Sequence, residues 1–222
     1  MRQRRSSTGR RVFLLSPANC TGARARLVLR ASARFELARR LRDEGAPLGE
    51  VFAFISGLYF RGKLAYARAF ARPPRGRPGV LVITPSGGLR PADTIVDLAT
   101  LVAYAGVAVD HREPRFRAPL ALDARALARW VGARGEVILL GSIATDKYVG
   151  VLQETLGDRL RFPAEFVGRG DMSRGGLLLR CTREARELTY LPTFGAAGRG
   201  PRPPKLEPIS PRTPKPTTRA AR

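Results

Sequence analysis

The sequence predicts a single α/β domain with a mainly parallel sheet and helices on both faces. Three observations predict it. The runs VFLLS (12–16), VLVIT (80–84) and EVILLGS (136–142) are apolar without alternation, the pattern of strands buried on both faces. Loops of small residues follow these runs, and stretches with helical spacing come next, which is the order of βαβ units. With 222 residues and a hydrophobic fraction of 44%, the chain is long and apolar enough for one sizeable core.

Taken in order, residues 1–11 read as a disordered basic arm, rich in arginine and free of acid. VFLLS is the first strand and ends in Ser-Pro. From Ala23 to Arg42, Leu27, Ala31, Phe35, Ala38 and Leu41 line one side of a helix, which Gly45 and Pro47 stop. VFAFIS (51–56) reads as a second strand, with a short helical stretch after it to about Phe70. ARPPRGRPG (71–79) is an exposed connection into the strand VLVIT. A helix covers Thr94–Ala105, VAVD (107–110) is a further strand, and HREPRFRAPL is irregular. Asp123 then caps the helix ALARW, ahead of the strand at 136–142 and a helix over Asp146–Leu156. ELTYLPT (187–193) adds an edge strand, so the folded domain spans 12–194. Residues 195–222 form a Pro/Arg-rich tail with too little apolar surface to fold.

The net charge of +22 extends over the body as well as the two ends and points to polyanionic partners: nucleic acid, or a phosphate-bearing nucleotide. Two cysteines, Cys20 and Cys181, are too few for a disulfide scaffold and fit a reducing, cytoplasmic setting. Apolar runs this short do not span a bilayer, so no membrane partner is expected. His111 is the lone histidine, which removes Ser-His-Asp, Cys-His and multi-His metal sites. No metal and no cofactor are expected.

Five small-residue loops should meet at the carboxyl edge of the sheet, where ligands of such folds sit. They are SPANCTG, SGLYFRGK, TPSGGLRPAD, GSIATDK and GRGDMSRGG (168–176). In the last, a helix starts near Asp171, and its free N–H groups form an anion site with Gly168, Arg169, Gly170, Ser173 and Arg174. The plainer alternative is a tight turn capped by Asp171, which pairs with Arg174. In SGLYFRGK, Tyr59 offers a stacking face beside Arg61 and Lys63, the mixture that suits a base and its phosphate. Arg90 is a further polar contact. Asp171, Asp146 and Asp93 are the candidate catalytic carboxylates for attack on a glycosidic bond.

As a set, these loops resemble the YaaA peroxide-stress protein family. LLSPANCTG is similar to that family's Ser-Pro-Ala-Lys-type opening, with Asn19 in place of the lysine. SGLYFRGKLAYARAF, PSGGLRPAD, GSIATDKY and GRGDMSRGG resemble its later motifs, and the order agrees over about residues 12–190. The chain carries no counterpart of the helix-hairpin-helix insertion to which DNA binding in that family is linked. A looser likeness is to the Rossmann-like, three-layer fold group that contains the uracil-DNA glycosylases. The resemblance implies a cytoplasmic nucleic-acid-binding protein, with DNA rather than RNA as partner, acting in oxidative-stress protection. The alternative is an enzyme that processes a nucleobase or nucleotide, with the Gly/Arg-rich loop as its phosphate site.

Overall fold

Strand β1 (Arg11–Leu15) runs through the middle of a six-stranded sheet, and all five of its residues are buried. The structure, a computed structural model, describes residues 9–196, 200–204 and 206. β1 pairs in parallel with β3 (Val80–Thr84) on one side and β6 (Glu136–Leu140) on the other. β7 (Leu160–Pro163) extends the parallel set beyond β6. Antiparallel strands close both edges: β4 (Gly88–Pro91) against β3, and β8 (Tyr190–Pro192) against β7. The order is therefore β4-β3-β1-β6-β7-β8, and a separate two-stranded ladder joins β2 (Ala46–Pro47) to β5 (Ile95–Val96).

Successive side chains of a strand point to opposite faces, so each central strand feeds two cores. Phe13, Leu15, Val82, Ile138 and Leu140 face a layer made of α1 (Ala23–Leu29), α2 (Glu36–Asp43), α3 (Leu48–Ser56), α4 (Leu58–Phe70), α5 (Leu98–Ala105) and α8 (Asp171–Arg183). Val12, Leu14, Leu81, Ile83, Val137 and Leu139 face α6 (Pro114–Val131) and α7 (Val149–Leu156). The result is the three-layer α/β architecture expected from the unbroken apolar runs.

Several elements differ from the sequence reading. VFAFIS is not a strand but most of α3. Leu48, Val51, Phe52 and Ile55 are buried at helical spacing, and a short apolar run does not by itself reveal which period it follows. The helix expected over Ala23–Arg42 divides into α1 and α2. Ala25 and Val28 make the apolar contact of α1, while Leu27 is exposed. VAVD forms no strand. HREPRFRAPL is irregular only up to Glu113, which caps α6 by accepting from the Arg115 N–H, with Pro114 at the first helical position. Asp123 consequently lies inside α6 and accepts from the Leu89 N–H instead of capping a helix. The helix expected from Asp146 begins at Val149, and Asp146 accepts from the Gly150 N–H.

At the amino-terminal end, Arg11 belongs to β1 rather than to an arm: its guanidinium bonds Glu136 and Glu187. The rest of the arm reading, residues 1–8, lies outside the described residues. So does much of the tail reading, residues 197–199, 205 and 207–222. Within that tail, the Pro204 carbonyl accepts from Arg169 at 3.4 Å.

Candidate ligand pocket at the carboxyl edge of the sheet

The turn after β1 leaves Ser16 at the end of the sheet, 8% exposed. Beneath it, α4 delivers Lys63, which is 1% exposed. Lys63 Nζ donates to the Ser16 carbonyl at 2.7 Å and is hydrogen-bonded with Ser16 Oγ at 2.8 Å. It also lies over the rings of Tyr59 and Phe60, 4.7 and 4.6 Å from their centroids. Burial holds the Lys63 pKa down to about 7; Asp171 acts to raise it and Arg174 to lower it further. Tyr59, one turn earlier on α4, has a buried hydroxyl with no hydrogen-bond partner. Burial pushes that hydroxyl well above the usual phenol range, so it stays protonated. The Arg174 guanidinium works against that shift, but its geometry to the hydroxyl falls short of a hydrogen bond.

Close helix packing sets this floor. A Cβ at Gly62 of α4 would stand 2.7 Å from the Gly175 carbonyl of α8, and one at Gly175 would stand 2.9 Å from the Leu58 carbonyl and the Tyr59 Cα. Only glycine permits the two backbones to approach so closely. At Gly57, φ is 62°, a left-handed conformation in which the chain turns from α3 into α4.

Above the floor is a pocket of about 740 Å³. Each of the five stretches expected as loops contributes to its lining, although SGLYFRGK is not a loop but the junction of α3 and α4, and Asp171 is the first residue of α8: Ser16 to Thr21 from the first, Tyr59 from the second, Pro85 from the third, Ser142, Thr145 and Lys147 from the fourth, and Asp171 from the fifth. Tyr148 fixes the far wall: its hydroxyl accepts from the Ser142 N–H and donates to the Ser142 carbonyl, both at 3.1 Å. The segment Tyr104–Asp110, read from sequence as the end of a helix and a strand, completes the wall instead. Asp110 is pinned there by Arg112, whose hydrogen bonds hold its pKa far below the usual carboxylate range.

The structure brings together only part of the residue set expected from sequence. Tyr59 and Asp171 border the pocket. Lys63 lies under Ser16 and is sealed from solvent, so it is no surface contact for a phosphate. Arg61 and Arg90 are exposed outside the lining. Asp93 is exposed and pairs with Arg68 at 2.5 Å. Asp146 is spent on the start of α7.

The Gly/Arg-rich loop also has largely structural contacts. Arg174 is 9% exposed and donates from Nε and Nη2 to the Phe166 carbonyl at 3.2 and 3.1 Å. Arg169 donates to the Glu165 carbonyl and to Ser173 Oγ. Gly168 has φ 72°, and the Pro201 carbonyl stands where its Cβ would be. Gly170, not Asp171, is the N-cap of α8. Asp171 makes no capping bond; it lies 3.6 Å from Arg174 with its side chain 71% exposed.

Sequence reasoning passed over Ser16, Tyr104, Asp110 and Tyr148. The Ser-Pro after an apolar run was the available signal for Ser16. Nothing local marks the other three, whose wall positions depend on long-range packing. Cys20 lines the same pocket, and burial pushes its thiol up to about 12, against a reactive thiolate. Among the described residues, no group of three His, Cys, Asp or Glu side chains is placed to hold a metal ion. No helix among them is long and apolar enough to cross a membrane.

Fold and site together define a class: a three-layer α/β protein with a ligand-sized pocket beyond the carboxyl ends of its parallel strands. No protein-family model, curated protein or solved structure matches the chain.

Proposed function

We propose that the protein is an enzyme acting on a nucleobase- or nucleotide-sized ligand held in this pocket. The observation that carries the reading is the pocket itself, about 740 Å³ and lined from strand ends and from the first turns of α4 and α8, with a buried lysine–serine pair at its floor. Ligand sites typically fall between roughly 300 and 1,000 Å³, whereas a duplex needs an open groove. Tyr59, Tyr104 and Tyr148 offer aromatic surface, Asn19 and Ser142 offer groups for a base edge, and Lys147 offers charge for a phosphate. Of the carboxylates expected to attack a glycosidic bond, Asp171 alone borders the pocket. Exposed and facing Arg174, it suits ligand contact better than attack.

Calorimetric titration with nucleobases, nucleosides and nucleotides tests the reading. At least one should bind, and Tyr104→Ala, in the wall rather than the floor, should weaken binding about tenfold or more. Failure of every such compound to bind would reject it.

The net charge of +22 favours a second reading, binding of nucleic acid; the resemblance of the loops to the YaaA family would make DNA the partner and oxidative-stress protection the role.

A further inference from the structure

Lys63 has no solvent to face and no carboxylate in contact. A charged lysine in that position is costly unless a fully bonded cage compensates it. Its partners are one carbonyl, one hydroxyl and two aromatic faces. As a neutral amine it fits better: one N–H still donates to the Ser16 carbonyl, and the lone pair accepts the Ser16 O–H. The charged groups that face it, Asp171 and Arg174, both come from α8 and act in opposite directions. A neutral amine 2.8 Å from a hydroxyl at the edge of a ligand pocket is the arrangement in which a lysine activates a serine.

We propose that Ser16 is a nucleophile activated by Lys63, and that the pocket takes an acyl ester whose alcohol portion is a nucleoside or nucleotide. The identity of that alcohol rests on the function proposed above; the serine chemistry does not. Ser16 Oγ forms a bond to the acyl carbon while its proton passes to Lys63 Nζ. The ester C–O bond then breaks, and the departing alcohol takes the proton back from Lys63. Water attacks the resulting Ser16 ester, giving its proton to Lys63; Ser16 leaves, regains a proton, and the carboxylic acid is released. No oxidant, reductant or co-reactant besides water is used.

A fluorophosphonate probe, which reacts with activated serines whatever the natural alcohol, tests the chemistry separately from nucleotide binding. Intact mass should show one adduct on the full chain, and peptide mapping should place it on Ser16. Ser16→Ala should abolish it. Lys63→Met should slow it by about 100-fold or more, the usual range for loss of a general base. In wild type the labelling rate should rise with pH around a midpoint near 7. Absence of an adduct at Ser16, or an equal rate in Lys63→Met, would overturn the proposal. Should Lys63→Met fail to fold, the wild-type profile decides, and a rate flat from pH 5.5 to 9 overturns it. Labelling of Ser16 with no nucleotide binding would retain the serine chemistry and reject only the nucleotide alcohol.

Discussion

Lys63 Nζ lies 2.7 Å from the carbonyl and 2.8 Å from the hydroxyl of Ser16, a residue 47 positions earlier in the chain. One side chain thus ties α4 to the end of the central strand and fixes the floor of the pocket. The contact has a thermodynamic signature, because the folded chain disfavours the lysine's charge.

Stability should rise with pH between about 7 and 9. The folded pKa of Lys63 is depressed to about 7 from 10.5, so over this range the unfolded chain holds a proton that the folded chain has lost. Unfolding then takes up a proton, and raising pH opposes it. Above pH 9 the buried Cys20 thiol, pushed from 9.0 to about 12, works in the opposite direction. Urea unfolding across pH 6–9 should show the rise in wild type and a flatter curve in Lys63→Met.

The two glycines at the end of GRGDMSRGG should differ sharply. A Cβ at Gly175 meets the Leu58 carbonyl and Tyr59 Cα at 2.9 Å, whereas one at Gly176 meets only a Leu206 methyl at 3.6 Å. Gly175→Ala should cost roughly 1–3 kcal/mol, as overpacking does. Gly176→Ala, in the same helix, should be neutral or stabilising by about 0.5–1 kcal/mol through helix propensity. Denaturant midpoints measure both, and similar values for the two would contradict the close α4–α8 contact.

Arg174→Ala should destabilise the fold by about 2 kcal/mol, since it removes two charge-assisted bonds to the buried Phe166 carbonyl. The sequence reading of a free phosphate-binding arginine requires the reverse, normal stability with weakened ligand binding. Parallel thermal melts and ligand titrations separate the two.

Tyr59→Phe deletes a hydroxyl that bonds to nothing in the folded chain. Stability should stay within about 0.5 kcal/mol of wild type or increase, because no hydrogen bond is lost and one buried unpaired group is removed. The Ser16 labelling rate should stay near that of wild type, because the hydroxyl is buried away from the pocket. A variant that melts clearly lower would show that the hydroxyl has a partner in the folded chain.

Deleting residues 1–8 and 207–222 removes Arg2, Arg4, Arg5, Arg212, Lys215, Arg219 and Arg222. Under the nucleic-acid reading, duplex affinity should drop and its dependence on salt should flatten. Identical salt titrations for the shortened and full chains would remove the two ends from any electrostatic role.

The sequence by itself determined the layer architecture. VFLLS, VLVIT and EVILLGS are apolar at nearly every position and stop at turn-forming residues, a pattern that suits a strand covered on both faces. It also marked stretches that reach the pocket: Ser16-Pro17 lines it directly, and Pro85 and Asp171 line it from the stretches that carry Gly-Gly and Gly-Arg-Gly. Tertiary structure alone decided what those residues do. VFAFIS has no period of its own and becomes helical because α3 packs one face into the core. Lys63 and Arg174, which read as phosphate contacts beside glycines, are buried because Gly62 and Gly175 bring α4 and α8 close together. A basic residue's composition and spacing are the same whether it meets water or a carbonyl 47 residues away. Burial, the depressed pKa and the bond to Ser16 arise only when distant segments share one small volume.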